Sequence, residues 1–281
     1  MSDIIDSHIH IWDLERFTYK WPTSKLNIYR NYLPDDLASA AADTPVREFI
    51  FVQGLNDCPE EAKWVMSLAR SNPSIKGIVA GLDPSHIEFE DRLQNLKEEV
   101  PLLVGIRHIP DFDPRPDYIS RDDVAEGIKV LGRHNLTYDL LIRPHTIQAA
   151  STLVSKNPEV KFVIDHIALP NIAEGGMDPW RHHLEDIAQY QNVYCKLSGM
   201  ITRADLVNWK PEHLQPFVEH VLRVFGCDRV MYGSDWPICE MARNTDYATV
   251  FSTLKKLVEH IPEDETRKIF CANARNFYNI A

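Results

Sequence analysis

Short apolar runs rich in β-branched residues recur along the chain, and longer stretches with the apolar period of a helix lie between them. Eight such runs occur, at 4–12, 48–54, 76–83, 102–109, 138–144, 161–169, 193–199 and 229–237. The clearest amphipathic stretches are 60–72, 122–135, 182–192 and 247–261. This alternation predicts buried parallel strands joined by helices, because parallel strands are covered on both faces.

The predicted fold class is α/β, since eight strand–helix units in 281 residues fit a single (β/α)8 barrel domain over 1–281. An open doubly wound sheet is the alternative, but it would place a Gly-rich phosphate turn after the first strand. The sequence reads D-S-H-I-H there instead. We interpret the irregular, aromatic segment 17–33 as a long first loop, which in a barrel lies over the active face.

Composition excludes several classes of partner. The net charge of -11 argues against nucleic acid and anionic membrane surfaces, since both require a basic face. A hydrophobic fraction of 44% with 25% charged residues is typical of a globular protein. The 5 cysteines are scattered without a C-x-x-C pair, and no apolar stretch is long enough to span a bilayer. The first residues of the sequence also lack signal-peptide features. Together, these observations predict a cytoplasmic protein with reduced thiols.

The first apolar run carries two histidines, His8 and His10, with one residue between them. Side chains two residues apart on a strand point to the same face, so we expect both imidazoles on one side with Asp6 beside them. Paired neutral imidazoles can hold a divalent metal ion or polarise a substrate oxygen. The spacing alone is also compatible with two histidines at a hydrated strand end, so the rest of the chain must decide.

Polar side chains occur near the end of nearly every predicted strand, which is where barrel active sites form. Besides the histidine pair, they are Gln53, Asp83, Arg107, His108, Arg143, His145, Asp165, His166, Lys196, Ser198, Ser234 and Asp235. Burying so many polar and ionisable groups is costly unless they are paired or functional. We therefore interpret this converging set as an active site.

Asp235 in Y-G-S-D-W-P is the candidate general base, because a carboxylate beside imidazoles or a metal can deprotonate water. His166 is a further candidate catalytic residue. Arg107 and Lys196 could orient or polarise an oxygen-rich substrate, and each could instead be an internal salt-bridge partner. The other predicted substrate contacts are Gln53 and His145, with Trp12 and Trp236 as pocket walls.

The motifs D-S-H-I-H-I-W-D, V-Q-G, G-I-R-H, D-H-I-A-L-P, C-K-L-S-G and Y-G-S-D-W-P resemble the amidohydrolase superfamily. They are most similar to its amidohydrolase-2 branch, which contains sugar lactonases such as L-fucono-1,5-lactonase and L-rhamnono-lactonase, and also 2-pyrone-4,6-dicarboxylate lactonase. The resemblance implies a distorted barrel that hydrolyses a cyclic ester. By position it assigns catalytic roles to His8, His10, His166 and Asp235, and substrate contacts to Arg107 and Lys196.

One departure from the wider superfamily concerns metal binding. Two-metal members bridge their ions with a carboxylated lysine on strand 4 or 5, and L-L-V-G-I-R-H-I and Y-D-L-L-I-R-P contain no lysine. A binuclear site is therefore not expected. The predicted cofactor is none or one divalent ion, with zinc as first choice, in a mononuclear shell of His8, His10, His166 and Asp235. We expect the metal requirement to be weak or absent.

The predicted activity is the opening of a sugar-acid lactone similar to L-fucono-1,5-lactone, by water attack with Asp235 as general base. The alternatives are a zinc-dependent decarboxylase of the same superfamily, an amide hydrolase, and a barrel that binds a sugar acid without turning it over. The expected partner is the small lactone, and a homo-oligomer is left open. Asn27, Tyr29 and Tyr32 of the first loop could bind sugar hydroxyls.

Overall fold

In the computed structural model, which describes residues 4–115 and 117–280, eight strands follow one another in chain order in a single sheet. Neighbouring strands pair in parallel throughout. They are β1 Ile4–Ile9, β2 Val46–Val52, β3 Ile75–Gly81, β4 Leu103–His108, β5 Thr137–Leu140, β6 Phe162–Ile164, β7 Val193–Leu197 and β8 Val230–Tyr232. The predicted number, order and parallel pairing of the strands are confirmed.

The sheet curls into a nearly closed barrel because β1 meets the chain just beyond β8 at the carboxyl ends of the strands. The backbone N–H of His10 donates to the carbonyl of Trp236 at 2.7 Å, and that of Asp235 donates to the carbonyl of His8 at 2.9 Å. The closure therefore joins the segment that carries the histidine pair to the segment that carries Asp235. The predicted TIM-barrel architecture is confirmed.

Helices follow the strands and cover the barrel. They are α1 Pro34–Ala41, α2 Pro59–Ala69, α3 Phe89–Glu99, α4 Asp122–Arg133, α5 Ile147–Ser155, α6 Trp180–Ala188, α7 Pro211–Phe225, α8 Tyr247–Leu257, α9 Glu263–Arg267 and α10 Asn273–Tyr278. The four predicted amphipathic stretches correspond to α2, α4, α6 and α8. α2 begins with proline followed by two glutamates, which suit the free N–H groups and positive end of a first helical turn.

The first loop, 17–33, contains neither helix nor strand in this structure, as predicted. It returns to the barrel at Tyr32, whose backbone exchanges two hydrogen bonds of 2.9 Å with that of Trp12. None of the helices among the described residues is both long and apolar enough to cross a membrane.

The barrel lumen contains a small apolar cluster, separate from the large cluster between strands and helices. It comprises Ile5, Ile50, Val52, Val79, Val163 and Met231 of the strands, Cys271, and Ala274, Phe277 and Tyr278 of α10. The C-terminal helix α10 therefore covers one end of the lumen.

The predicted placement of Asp6 beside the histidines is wrong. The pairing of β1 with β2 slips between Asp6 and Ile9, so the strict alternation of faces is broken there. The Asp6 carboxylate accepts hydrogen bonds from the backbone of His8 at 3.0 Å, from the backbone of Ser234 at 2.9 Å and from the Tyr247 hydroxyl of α8 at 2.7 Å. It ties β1 to the chain after β8 and to a covering helix, while the two imidazoles face the lumen.

Candidate active site

Four side chains meet at the carboxyl ends of β1, β6 and β8. The Asp235 Oδ1 atom lies 3.8 Å from His8 Nε2, 3.6 Å from His10 Nε2 and 3.8 Å from His166 Nε2. All four residues are buried, with exposures between 0% and 6%. We call this group the imidazole cluster, and the sequence prediction had named each of its members.

The aspartate is presented by an unusual stretch of backbone. Asp235 has φ +58, in the left-handed region that non-glycine residues rarely adopt. Its Oδ1 atom is buried and has no hydrogen-bond partner in the described part of the chain. A buried carboxylate oxygen left unpaired is costly, which marks this atom as one that a ligand, an ion or a water molecule must satisfy.

His10 has its ring orientation fixed by the neighbouring strand. Its Nδ1 lies 2.7 Å from the carbonyl oxygen of Val52, and because a carbonyl can only accept, Nδ1 must be the donor. In the neutral ring the lone pair is then on Nε2, which lies 3.2 Å from His8 Nε2 and points towards Asp235. The backbone of β2 therefore sets the tautomer of His10.

His166 stands at the start of a left-handed turn that follows β6. Four consecutive residues, from His166 to Leu169, have φ between 50 and 62. Each such residue costs roughly 1–2 kcal/mol, so the surrounding structure must enforce the turn. His166 Nδ1 lies 2.9 Å from the Ser198 hydroxyl. At Gly199, with φ +62, an added Cβ would lie 2.6 Å from His166 Nδ1, so only glycine leaves room for the imidazole.

Beneath the imidazole cluster lies a second group of charges, which we call the ionic layer: Arg107, Asp139, Asp165 and Lys196. Lys196 Nζ is 2.5 Å from Asp139 Oδ2 and 3.0 Å from Asp165 Oδ1, and Arg107 Nη1 is 2.9 Å from Asp165 Oδ2. Its four members are between 0% and 2% exposed. Two buried cations thus face two buried carboxylates.

The two layers meet at His8. Its Nδ1 lies 3.2 Å from Asp165 Oδ1 and 3.2 Å from Lys196 Nζ, while its Nε2 faces Asp235. Burial lowers the pKa of His8 well below its usual value, and Lys196 lowers it further against the opposing effect of Asp165. His8 is therefore neutral at physiological pH. Burial also lowers the pKa of His166, partly offset by Asp235.

The aspartates of the ionic layer differ in their pKa. Burial alone would raise the pKa of Asp165, but the charges of Lys196 and Arg107, with the hydrogen bond from His8, outweigh it and hold the pKa well below its usual value. Burial raises the pKa of Asp139 to about 6, with Lys196 opposing the shift. Asp165 is therefore the firmly ionised partner of both cations.

Lys196 does not fit its predicted contact with substrate. Its side chain is 0% exposed and is enclosed by Asp139, Asp165 and His8, so the alternative of an internal salt bridge is the correct one. Arg107 differs, because it pairs with Asp165 and also lines the cavity above the site. Its Nε is buried without a hydrogen-bond partner among the described residues.

The other residues predicted to contact the substrate differ in whether they line the cavity. Trp12 lines the cavity, whereas His145 is exposed on the turn after β5 and does not line it, so a substrate contact of His145 stays a prediction. Gln53 is buried, and its amide donates to the Arg107 carbonyl at 3.1 Å. Trp236 is 1% exposed and donates through Nε1 to Glu240 at 2.8 Å, so it supports the site from behind.

A cavity of about 270 Å³ opens above the imidazole cluster. Its base carries His10, His166 and Arg107, and its wall is largely apolar and aromatic, with contributions from the first loop. The wall residues are Trp12, Tyr19, Trp21, Gly54, Ile109, Phe112, Leu141, Leu169 and Ile238, and the charged residues Asp111 and Arg143 also line the cavity. An apolar cavity with a few convergent polar groups is typical of a small-molecule site.

Some residues of this region were missed by the sequence analysis. Asp139 could have been noticed as an acid inside the apolar run Y-D-L-L-I-R-P. Tyr278 of α10 donates to Asp139 Oδ2 at 2.8 Å, and a C-terminal tyrosine gives no local signal of that contact. Ser198 and Arg143 were recognised as strand-end polar residues without a role.

The donor set fits one divalent metal ion. Ligand atoms of His8, His10 and Asp235 all lie within 4.8 Å of one another, and a second group, also within the described ranges, joins His8 and His166 to Asp165. The first group suits an ion better, since Asp165 is held by two cations. Neighbouring ligands of a tetrahedral zinc ion with Zn–N bonds of about 2.1 Å are about 3.4 Å apart. The separations of 3.2, 3.6 and 3.8 Å in the first group are close to this value.

Fold and site together are those of a barrel hydrolase with a histidine–aspartate centre. The chain belongs to the amidohydrolase family: the family model described as Amidohydrolase matches residues 5–280. The predicted superfamily and the predicted enzyme class, a hydrolase, are confirmed.

Relatives and solved structures agree with this family. The chain is 29% identical to an L-fucono-1,5-lactonase of Burkholderia ambifaria, over 100% of this chain and 97% of that protein. It is 28% identical to an L-fucono-1,5-lactonase of Burkholderia multivorans, over 86% of this chain and 84% of that protein. A crystal structure of an amidohydrolase from Burkholderia multivorans with bound zinc superposes with a TM-score of 0.91 at 26% identity, covering 100% of both chains.

Proposed function

We propose that this enzyme hydrolyses the lactone of a sugar acid, with L-fucono-1,5-lactone or a close aldonolactone as substrate and Asp235 as general base. The observation that carries the proposal is the buried Asp235 Oδ1 atom, which lacks a hydrogen-bond partner in the described residues and faces three imidazole nitrogens. The lactonases among the relatives support the substrate class.

In the first step a water molecule held beside Asp235 attacks the lactone carbonyl carbon. Asp235 accepts one proton from the water as the new C–O bond forms, and the carbonyl oxygen becomes an oxyanion. The guanidinium of Arg107 lines the cavity and is held by Asp165, so it presents a fixed positive charge towards that oxyanion. His8 is held neutral and oriented by the ionic layer beneath it.

In the second step the tetrahedral intermediate collapses. The carbonyl forms again, the bond from the carbonyl carbon to the ring oxygen breaks, and the proton on Asp235 passes to that oxygen, directly or through His166. The product is an open-chain hydroxy acid, which ionises and releases a proton to solvent. A lactone is an activated ester, so one base and one site for the oxyanion are sufficient for this chemistry.

A divalent ion held by His8, His10 and Asp235 would supply Lewis-acid polarisation of the carbonyl and a lower pKa for bound water. The relative with bound zinc supports zinc as that ion. The weak or absent metal requirement stays a prediction, and the assay below tests it.

The test is a panel of aldonolactones followed by a pH indicator, with and without a chelator. We expect acid release well above the spontaneous rate, fastest with L-fucono-1,5-lactone or a close relative, and little change on chelation. Loss of activity with chelator and its recovery with zinc would overturn the metal prediction alone. Release of CO2 from an aromatic acid would favour the decarboxylase alternative, and ammonia from an amide the amidase. Acid release at the spontaneous rate for every lactone would contradict the proposed function.

A further inference from the structure

The mouth of the cavity carries one ion pair that the reaction itself does not use. Arg143 follows β5, Asp111 lies in the short turn Pro110–Phe112 after β4, and both line the cavity whose base is formed by His10 and His166. Both side chains are partly accessible, at 39% and 42% exposure. The pair therefore stands where a bound substrate would meet solvent.

The geometry of the pair leaves part of the guanidinium free. Arg143 Nε lies 2.9 and 3.2 Å from the two Asp111 oxygens, and Nη2 lies 2.5 Å from Oδ2. Within the described ranges, Nη1 makes no hydrogen bond. The backbone is fixed on both sides, because Arg143 N donates to Thr146 Oγ1 at 3.0 Å and Lys20 Nζ donates to the carbonyl of Phe112 at 2.8 Å.

The chemistry of this pair matches a polyol. A sugar hydroxyl both donates and accepts, and the pair offers free guanidinium N–H groups next to carboxylate lone pairs. Aromatic rings of Trp12, Trp21 and Phe112 line the same cavity and can pack against the C–H face of a sugar. An exposed ion pair contributes about 0–1 kcal/mol to stability, so a contribution to folding does not account for this placement.

We propose that Arg143 and Asp111 form a specificity pair that binds the hydroxyl groups of the lactone, so that the site selects polyhydroxylated over unsubstituted lactones. This inference rests on the proposed function and deepens it. The pair binds substrate away from the reacting carbonyl, so it sets KM for hydroxylated substrates and leaves the chemistry of ring opening unchanged.

The experiment compares two substrates in three proteins. L-Fucono-1,5-lactone carries hydroxyls and δ-valerolactone carries none, and hydrolysis of both is measured with the wild type, R143M and R181M. Arg181 is a matched control, because it contacts Asp178 through Nε at 3.2 Å and Nη2 at 2.8 Å at similar exposure, and it does not line the cavity. Thermal melting of all three proteins reports whether folding is intact.

We expect R143M to raise KM for the hydroxylated lactone about tenfold, since loss of one charge-assisted contact costs about 1.4 kcal/mol or more. For δ-valerolactone, kcat/KM should stay within about twofold, and R181M should match the wild type on both. D111N should shift KM in the same direction with a smaller change. Equal losses on both substrates, or no change in KM, would overturn the proposal.

A second readout separates this inference from the proposed function. Trp12 and Trp21 line the cavity, so quenching of tryptophan fluorescence can report binding of L-fuconate, the open-chain product. If the wild type opens neither lactone, the proposed function fails, and weaker fuconate binding by R143M than by R181M would still support the specificity pair. Equal fuconate affinity of the two variants would contradict it.

Discussion

The imidazole cluster and the ionic layer are neighbours in one barrel, and both are buried. Their carboxylates differ in their partners, because among the described residues only the ionic layer pairs its carboxylates with cations. Asp165 in the ionic layer has Lys196 at 3.0 Å and Arg107 at 2.9 Å. Asp235 in the imidazole cluster lies within ion-pair distance only of histidines, counted over the described residues. Both aspartates approach the same His8, one at each ring nitrogen.

The difference shows how one residue type acquires two roles. A buried carboxylate that is paired with cations is a fixed charge, so Asp165 orients its neighbours and has little basicity to offer. A buried carboxylate without a cation is costly and available for a proton, an ion or a water molecule. We therefore assign the chemistry to Asp235 and a supporting role to Asp165.

Removing the charge at the reactive aspartate should have the largest effect. We expect D235N to lower kcat for lactone opening by a factor of roughly 10²–10⁴, the usual contribution of a positioned general base. Steady-state rates with a pH indicator measure the loss. D43N, which changes an exposed carboxylate that does not line the cavity, is the control and should keep its kcat. A kcat of D235N near that of the wild type would show that Asp235 is not the general base.

Removing the lysine of the ionic layer should chiefly lower stability. In K196M the buried Asp139 and Asp165 lose their shared cation, so we expect a loss of about 3–5 kcal/mol in the free energy of unfolding. Urea unfolding measures it, with K256M on the exposed surface of α8 as a control that should not change. The double variant K196M/D139N should recover part of the loss. Full stability of K196M would show that the ionic layer is not a paired unit.

Another buried carboxylate extends the comparison to a group held mainly by backbone N–H groups. Glu61 accepts hydrogen bonds from the backbone N–H groups of Gly54 and Leu55 at 3.0 and 3.2 Å, and it forms no ion pair within the described part of the chain. Burial raises its pKa to about 7, from 4.5. The folded state thus holds this proton more tightly than the unfolded chain does.

The sign of the pH effect follows from that shift. The stability that Glu61 contributes is fully present below pH 4.5 and is lost as the pH rises towards 7, because the unfolded chain ionises first. We expect E61Q to gain about 2 kcal/mol relative to the wild type between pH 5 and pH 8. Urea midpoints across that range measure it, with the exposed neighbour variant E60Q as control. A pH-independent difference would refute the raised pKa.

The smallest predicted effect concerns the link from α10 to the ionic layer. Y278F removes the hydroxyl that donates to Asp139 at 2.8 Å, and we expect a loss of about 1 kcal/mol in stability with kcat nearly unchanged. Y190F is the control and should change neither quantity, since the Tyr190 hydroxyl makes no hydrogen bond within the described part of the chain and the residue does not line the cavity. A large fall in kcat for Y278F would contradict the assignment of a supporting role to the ionic layer.

Much of the fold could be predicted because its signal is local. Buried parallel strands read as continuous apolar runs, and each of the eight predicted runs overlaps one strand. The predicted runs extend beyond the strands at their carboxyl ends. The run 161–169, for example, continues past Ile164, the last residue of β6, into the left-handed turn at His166. That turn depends on contacts from other elements, among them the Trp180 indole, which donates to the Ile167 carbonyl at 2.6 Å.

The parts of the site that escaped prediction depend on pairing between distant strands. The period of two residues correctly placed His8 and His10 together, but a slip in strand pairing moved Asp6 away from them. The position of Lys196 within an apolar run correctly indicated a buried charge, which is costly. One carboxylate partner, Asp139, lies on β5 and the other, Asp165, directly follows β6, so the sequence alone could not decide between a substrate contact and an ion pair.

The different roles of Asp165 and Asp235 can be measured through the unfolding free energies of the matched variants D165N and D235N, determined side by side in urea. The two changes are chemically identical and equally buried. We expect D165N to lose about 3 kcal/mol or more in the free energy of unfolding, because two buried cations lose a partner, while D235N keeps or gains stability. Equal destabilisation of both variants, or a greater loss in D235N, would contradict it.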